Sequence, residues 1–237
     1  MGASLALTLY ELVDAKGRRY SPYCWRTRMA LAHKRLAVET IPWRFTEKQA
    51  IAFSGQGRVP VLVDGNTTVA DSWAIAEHLE RAYPDRPSLF GGAAGLATAR
   101  FINAWADTIQ VAGLARLIVV DVFACIDAKD REHFRTSREQ RFGMSLEALC
   151  ADRDNQVTAF RHSLQPLRTI LAAQPHVGGA AANYTDYIVF GAFQWARCVS
   201  AFRLLEPDDP IGAWLERLLD ASDGLARNAP RAVQMTA

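Results

Sequence analysis

Every segment of this chain that alternates like a β-strand lies before Ala70, and none follows the proline- and glycine-bearing stretch Pro84–Gly95. Strands repeat every second residue and buried helix stripes every ~3.6, so this switch divides the chain into a small mixed unit and an all-helical one. Ala6–Leu12 reads as the first strand and Val13–Tyr20 as a polar loop. Ser21-Pro22 then opens a helix, because serine caps well and proline loses no amide bond at the first helical position. Trp25, Met29, Ala32 and Leu36 recur at helical spacing, with an end expected near Lys34. Ala37–Pro42 is strand-like, Phe45–Phe53 a short helix and Ser54–Gly57 a loop. The apolar run from Val59 ends in the turn Asp64-Gly65-Asn66, and Thr67–Val69 can return as a hairpin arm. Pro60 removes a ladder donor, which predicts a strand start or a special turn there, a cis bond included. Asp71-Ser72 caps a helix that carries Ile75, Ala76, Leu79, Ala82 and Tyr83. The order is βαβαββα.

Beyond the stretch 85–95, which reads as a linker, Leu96–Ile126 is expected to form a long helix and the charged segment Lys129–Arg141 a solvated face. Ser145–Ala151 and Asp154–Ala173 look helical. Asn183 stands three residues before Asp186, the spacing of a capping box, ahead of the apolar run Tyr187–Phe193. Ile211–Ala221 makes a last helix. The expected units are therefore residues 1–84, a linker at 85–95, and an all-helical unit at 96–237. With 237 residues and 50% apolar composition, both units can bury a core.

Charge and cysteine usage narrow the function. Lys+Arg 27 against Asp+Glu 25 leaves a net charge of +2, so no general field favours nucleic acid or an anionic membrane. The longest apolar run, Leu117–Ile126, is interrupted by Asp121 and is too short to cross a bilayer, which takes roughly 20 residues. No basic n-region precedes an apolar h-region, and Ala6 stands where a myristoylation signal wants Ser or Thr. Cys24, Cys125, Cys150 and Cys198 are spaced for neither a disulfide framework nor a metal site, which suits a reducing cytosol. The histidines are scattered, with neither GxSxG nor HExxH. Gly55-Gln56-Gly57 fails as a phosphate loop because Pro60 falls where a third glycine belongs. The expectation is a soluble cytoplasmic protein with a small-molecule partner and no resident metal.

Three motifs are more specific than the pattern that holds them. Ser21-Pro22-Tyr23-Cys24-Trp25-Arg26, Val59-Pro60 before the third strand, and Asp71-Ser72-Trp73-Ala74-Ile75-Ala76-Glu77-His78-Leu79 together resemble a cytosolic glutathione transferase. Tyr83-Pro84-Asp85-Arg86-Pro87, Arg138–Gly143 and Asp186–Trp195 are similar to the fungal A-class transferases and the related bacterial lignin β-etherases. The likeness runs from about residue 5 to about residue 230. It implies a thioredoxin-like α/β domain that binds glutathione, an all-α domain that closes the site over an electrophile, and a homodimer.

Residue roles follow from the same resemblance. Ser21 would hold the glutathione thiolate, since a hydroxyl donor and the positive end of a helix dipole both favour the anion. Val59, freed by a cis Pro60, would pair with the cysteinyl backbone of glutathione. Asp71 and Ser72 suit the zwitterionic γ-glutamyl end, as acid for the ammonium and helix N-terminus for the carboxylate. Cys24 occupies the resolving position of a glutaredoxin-like motif whose first cysteine is Ser21, and is read as a semi-buried bystander. Tyr10 is read as a packing residue, and Tyr23, Trp25, Trp105 and Trp195 either as core or as the lining for an aromatic co-substrate. The implied reaction is substitution at an electrophilic aromatic or aryl-ether carbon, lignin-derived aromatics among them. The alternatives are glutathione-dependent isomerisation of a small diacid, of the zeta type, and a non-catalytic ligandin. A site rich in arginine would favour the isomerase.

Overall fold

A computed structural model describes residues 7–232. The expected strand and myristoylation position Ala6, and residues 233–237 of the helical unit, lie outside the described residues. Four strands form one mixed sheet in the order β2-β1-β3-β4. β1 (Leu7–Leu12) runs parallel to β2 (Val38–Trp43) and antiparallel to β3 (Val61–Asp64), which pairs antiparallel with β4 (Thr67–Ala70). The parallel β1–β2 pair requires a crossover, supplied by α1 (Pro22–His33). Leu9, Val61 and Leu62 are fully buried in the sheet, and Trp25, Met29 and Leu31 of α1 pack in the same core. α2 (Ser72–Ala82) follows β4 directly. The expected Phe45–Phe53 helix is a 3-10 segment, Lys48–Ser54, ended by Gly55 at φ 68°. That left-handed angle suits glycine.

The helical unit opens with α3 (Ala93–Trp105), a π-helical turn at Ala106–Val111 and α4 (Ala112–Cys125) as one continuous rod. As a whole this rod is long and apolar enough to cross a membrane, which the apolar run Leu117–Ile126 taken alone understates. Its centre nevertheless carries Asp107, ion-paired to Arg26 at 2.8 Å, and the buried Gln110, and α4 sinks Leu114, Leu117, Ile118 and Val122 into the core. α5 (Arg131–Phe142), α6 (Leu146–Cys150), α7 (Arg153–Ser163), α8 (Gln165–Ala173), α9 (Tyr184–Val199) and α10 (Pro210–Gly224) follow. The stretch expected as one helix from Asp154 to Ala173 breaks at Leu164, because Pro166 lacks the amide hydrogen needed to continue the ladder. The segment Lys129–Arg141 is no simple solvated face. Asp130 and Phe134 are buried, and the Asp130 carboxylate accepts from the amides of Phe45 (3.1 Å) and Thr46 (2.9 Å), tying this segment to the loop after β2.

The two units meet where α9 crosses α1. Gly191 allows this approach, since a Cβ there would lie 2.4 Å from the Pro22 carbonyl oxygen. Arg26 seals the contact. Fully buried, it donates to the Ile188 carbonyl (3.2 Å), Asn103 Oδ1 (3.0 Å) and Asp107 Oδ1 (2.8 Å), so its charge is paired and its donors are used.

Candidate functional site

Strand register gathers the three motifs. Tyr10 lies opposite Val61, and Val61 opposite Ala70, so the end of β1, the start of β3 and the end of β4 share one end of the sheet. Ser21 arrives there after the β1–α1 loop, Val59-Pro60 leads into β3, and Asp71-Ser72 leaves β4. The loop is drawn closed by the Asp14 carboxylate, which accepts from the amides of Lys16 and Arg18, each at 2.8 Å, and pairs with the Arg18 side chain. A polar loop of this length thereby becomes a rigid approach to Ser21.

Ser21 is the N-cap of α1, in extended conformation at φ −80°, ψ 128°. Its Oγ accepts from the Cys24 amide at 3.2 Å, which leaves the O–H free to donate. The residue is 4% exposed, so that donor sits in a largely water-excluded place beside the first turn of α1. An anion placed there gains both a hydrogen bond and the helix dipole.

Val59-Pro60 is a cis peptide bond. Val59 lies outside the β3 ladder, and the hydrogen bond across this corner runs from the Asp71 amide to the Pro60 carbonyl at 3.2 Å. Backbone outside a ladder can pair with an extended peptide. Asp71 follows at φ 83°, strained for any residue except glycine, and its Oδ1 accepts from the amides of Trp73 (2.8 Å) and Ala74 (3.2 Å). Oδ2 of this exposed carboxylate remains available for a cation. Ser72 is buried, and its carbonyl is held by the Tyr184 hydroxyl of α9 at 2.8 Å. Burial keeps the Tyr184 phenol far above its ordinary pKa, so it remains a donor. The corner can therefore take a thiolate at Ser21, a peptide backbone at Val59 and an amino-acid head at Asp71-Ser72.

Other expected residues fall elsewhere. Cys24 is fully buried, not half-buried, and burial pushes its thiol up to about 12, with Glu11 adding repulsion. It is a neutral packing group with no thiolate to offer. Tyr10 packs against Phe53, ring centres 5.5 Å apart and planes tilted by 60°. Trp25 is fully buried and donates to the Arg19 carbonyl, while Trp105 and Trp195 pack half-buried on the core. Tyr23 stays beside the site, with Arg26 over its ring at 4.8 Å.

Sequence reasoning did not single out the supports, Arg26, Tyr184 and Gly191, or the pair Arg138 and Arg141 of α5. The last two left a trace, since Phe134, Arg138 and Arg141 recur at helical spacing and so share one face.

Comparison with known proteins covers both units. The family described as "Glutathione S-transferase, N-terminal domain" matches residues 17–87, and "Glutathione S-transferase, C-terminal domain" matches residues 97–219. Glutathione S-transferase 1 of Dianthus caryophyllus is 36% identical over 74 residues, which are 29% of this chain. The match spans only 34% of that relative's length. Among solved structures, glutathione transferase GSTFuA3 from Phanerochaete chrysosporium superposes with a TM-score of 0.81 at 23% identity, over 91% of this chain and 96% of its own. The glutathione S-transferase CsGST63524 of Ceriporiopsis subvermispora, solved with glutathione, gives a TM-score of 0.77 at 22% identity, over 96% of this chain and 100% of its own. At such identities these likenesses establish the fold.

Proposed function

Because the chain belongs to the glutathione S-transferase family, we propose that it is a serine-type glutathione transferase in which Ser21 holds the glutathione thiolate. The observation that carries this reading is the geometry of Ser21, whose Oγ accepts from the Cys24 amide at the N-terminus of α1, which leaves its hydroxyl able to donate. A free thiol of pKa about 8.5 is only a few per cent ionised at neutral pH, so stabilising the anion raises the population of the nucleophile. Val59 would align the cysteinyl backbone, with Asp71 on the γ-glutamyl ammonium and Ser72 on its carboxylate.

The bound thiolate attacks an electrophilic carbon, a C–S bond forms, and the leaving group departs with the bonding electron pair. On an aryl ether that group is an aryloxide, which takes a proton from water. The protein contributes positioning and charge stabilisation, and Ser21 forms no covalent bond. The sheet unit to residue 84 would hold glutathione, and the helical unit from residue 96 would cover the electrophile. A homodimer in the cytosol fits the exposed Phe101 (70%) and Ile109 (42%) on the α3 rod and the four free cysteines. Sedimentation of the purified chain tests the dimer.

The deciding experiment on Ser21 is Ser21→Ala, assayed with glutathione and a panel of chloronitrobenzene and β-aryl ethers. Losing a hydrogen bond to a charged sulfur costs about 1.5–3 kcal/mol, so kcat/KM should fall about 10- to 100-fold. The ultraviolet thiolate absorbance of the bound tripeptide should titrate at higher pH in the variant. Unchanged turnover with unchanged thiolate titration would sink the assignment, and tight aromatic binding without any conjugation would favour a ligandin. The zeta-type reading, isomerisation of a small diacid, draws support from one feature, the arginine pair on α5.

A further inference from the structure

Two arginines of α5, Arg138 and Arg141, lie one turn apart near its C-terminal end. On α5, Arg135 pairs with the carboxylates of Glu139 at 2.8 Å and Glu147 at 2.7 Å. Arg138 and Arg141, three residues apart and therefore on one face, form no ion pair among the described residues. Arg138 is half-buried. Its guanidinium carbon lies 4.5 Å from the centre of the Phe134 ring and 5.2 Å from that of Phe45, and its hydrogen bond goes to the neutral Ser137 hydroxyl at 2.9 Å.

Its charged neighbours include the cations Arg141 and Arg58, while the Asp130 carboxylate of this region is engaged by the Phe45 and Thr46 amides and the Thr46 hydroxyl. Burial first, then repulsion from Arg141 and Arg58, holds the Arg138 pKa below the ordinary arginine value, with Tyr20 acting the other way. Lys48 is lowered by burial first and then by Arg58 and Arg138, with Asp130 opposing. With a net charge of only +2 for the whole chain, this is a local concentration. A half-buried cation among like charges is costly unless an anion completes it.

Its place in the fold says which anion. Arg138 packs on Phe45, just past the end of β2 that pairs Trp43 with Leu12. It and Arg141 lie close enough to Tyr20 and Tyr23 respectively to offset part of the rise that burial and the Asp130 and Asp107 carboxylates impose on those phenols. Those two tyrosines flank Ser21 in sequence. The Tyr20 hydroxyl, buried and without a hydrogen-bond partner, adds a free donor on the same side. Lys48 and Arg58 belong to the sheet unit, beside Val59, and suit the glycyl carboxylate of the tripeptide. Arg138 and Arg141 come from the opposite side, on the helical unit that covers the electrophile.

We infer that Arg138 and Arg141 form a carboxylate-reading subsite for the second substrate, so that this protein acts on electrophiles bearing an acid group. A planar guanidinium matches a carboxylate in two-point contact, and the rings of Phe45 and Phe134 hold Arg138 in place. The inference rests on the glutathione site proposed around Ser21.

Calorimetric titration with three stable conjugates separates the two. S-methylglutathione probes the tripeptide site alone, and S-(4-carboxybenzyl)glutathione and S-(4-methylbenzyl)glutathione differ by the acid group. The native protein should bind the carboxybenzyl conjugate about tenfold more tightly than the methylbenzyl one, a difference of about 1.4 kcal/mol. Arg138→Gln and Arg141→Gln should each reduce that preference several-fold while leaving S-methylglutathione affinity unchanged. Arg141 is exposed and makes no ion pair, so its variant keeps the test open should Arg138→Gln fold poorly. Equal binding of the two benzyl conjugates overturns the inference. Weakened S-methylglutathione binding in both variants also overturns it, because the pair would then serve the glycyl carboxylate. No binding of S-methylglutathione to the native protein would refute the glutathione site itself.

Discussion

Ser21 and Cys24 sit on the same turn of α1, and their surroundings give them opposite chemistry. The serine needs no ionisation to act, because a neutral hydroxyl donates well at a helix N-terminus. The thiol would need to ionise, and full burial denies it that, with a pKa pushed up to about 12. Asp71 shows a residue serving two ends. One oxygen caps α2 through the Trp73 and Ala74 amides, and the other is free for a ligand ammonium. Asp71→Asn separates these duties. Asparagine caps helices as well as aspartate and, being nearly the same shape, carries the same backbone strain, so the melting temperature should stay within a few degrees. The affinity for glutathione should fall about tenfold or more, as a charge-assisted contact is lost. Thermal melts beside calorimetry check both, and an unchanged affinity would remove Asp71 from the site.

At the scale of elements, α9 does most to hold the corner in shape. Its capping box is closed by Asp186, which is fully buried and accepts from the amides of Val177 (2.8 Å), Gly178 (2.9 Å) and Asn183 (3.1 Å) and from the Trp214 indole (2.8 Å). Asp186→Ala would orphan these donors and should destabilise the fold by about 3–5 kcal/mol, measurable by urea denaturation. Gly191 sets how closely α9 lies on α1. A methyl group there meets the Pro22 carbonyl oxygen at 2.4 Å, and that backbone cannot move without shifting Ser21. Gly191→Ala should cost about 1–3 kcal/mol and also weaken glutathione binding. Gly212→Ala in α10 has nothing within 4 Å and serves as the control, neutral or slightly stabilising. Equal behaviour of the two variants would contradict the close-approach account.

Across the whole molecule, the buried neutral groups set the response to pH. Cys24 and Cys198 are both raised by burial from 9.0 to about 12, and the phenols of Tyr184 and Tyr187 are raised by the same cause. The unfolded chain releases the cysteine protons near pH 9.0 while the folded chain keeps them to about 12. Stability from these groups is therefore full below pH 9.0 and declines between there and about 12, by about 1.4 kcal/mol per pH unit for each cysteine. Urea denaturation on either side of pH 9.0 should show that fall, and a flat profile would refute it. The strand and helix order apart from the 3-10 segment that replaces the second helix, the helix starts at Ser21-Pro22 and Asp71-Ser72, the odd proline at Pro60 and the capping box at Asn183–Asp186 were legible in the sequence. Capping, proline geometry and periodicity act over a few residues, and a linear reading captures them. Tertiary structure alone decided that β1, β3 and β4 bring Ser21, Val59 and Asp71 to one end of the sheet. It alone buried Cys24 beyond use, broke the helix at Leu164 and turned part of a charged helix into an unpaired arginine face. Those outcomes depend on strand register, desolvation and the partners a side chain meets across the fold, which sequence spacing does not contain.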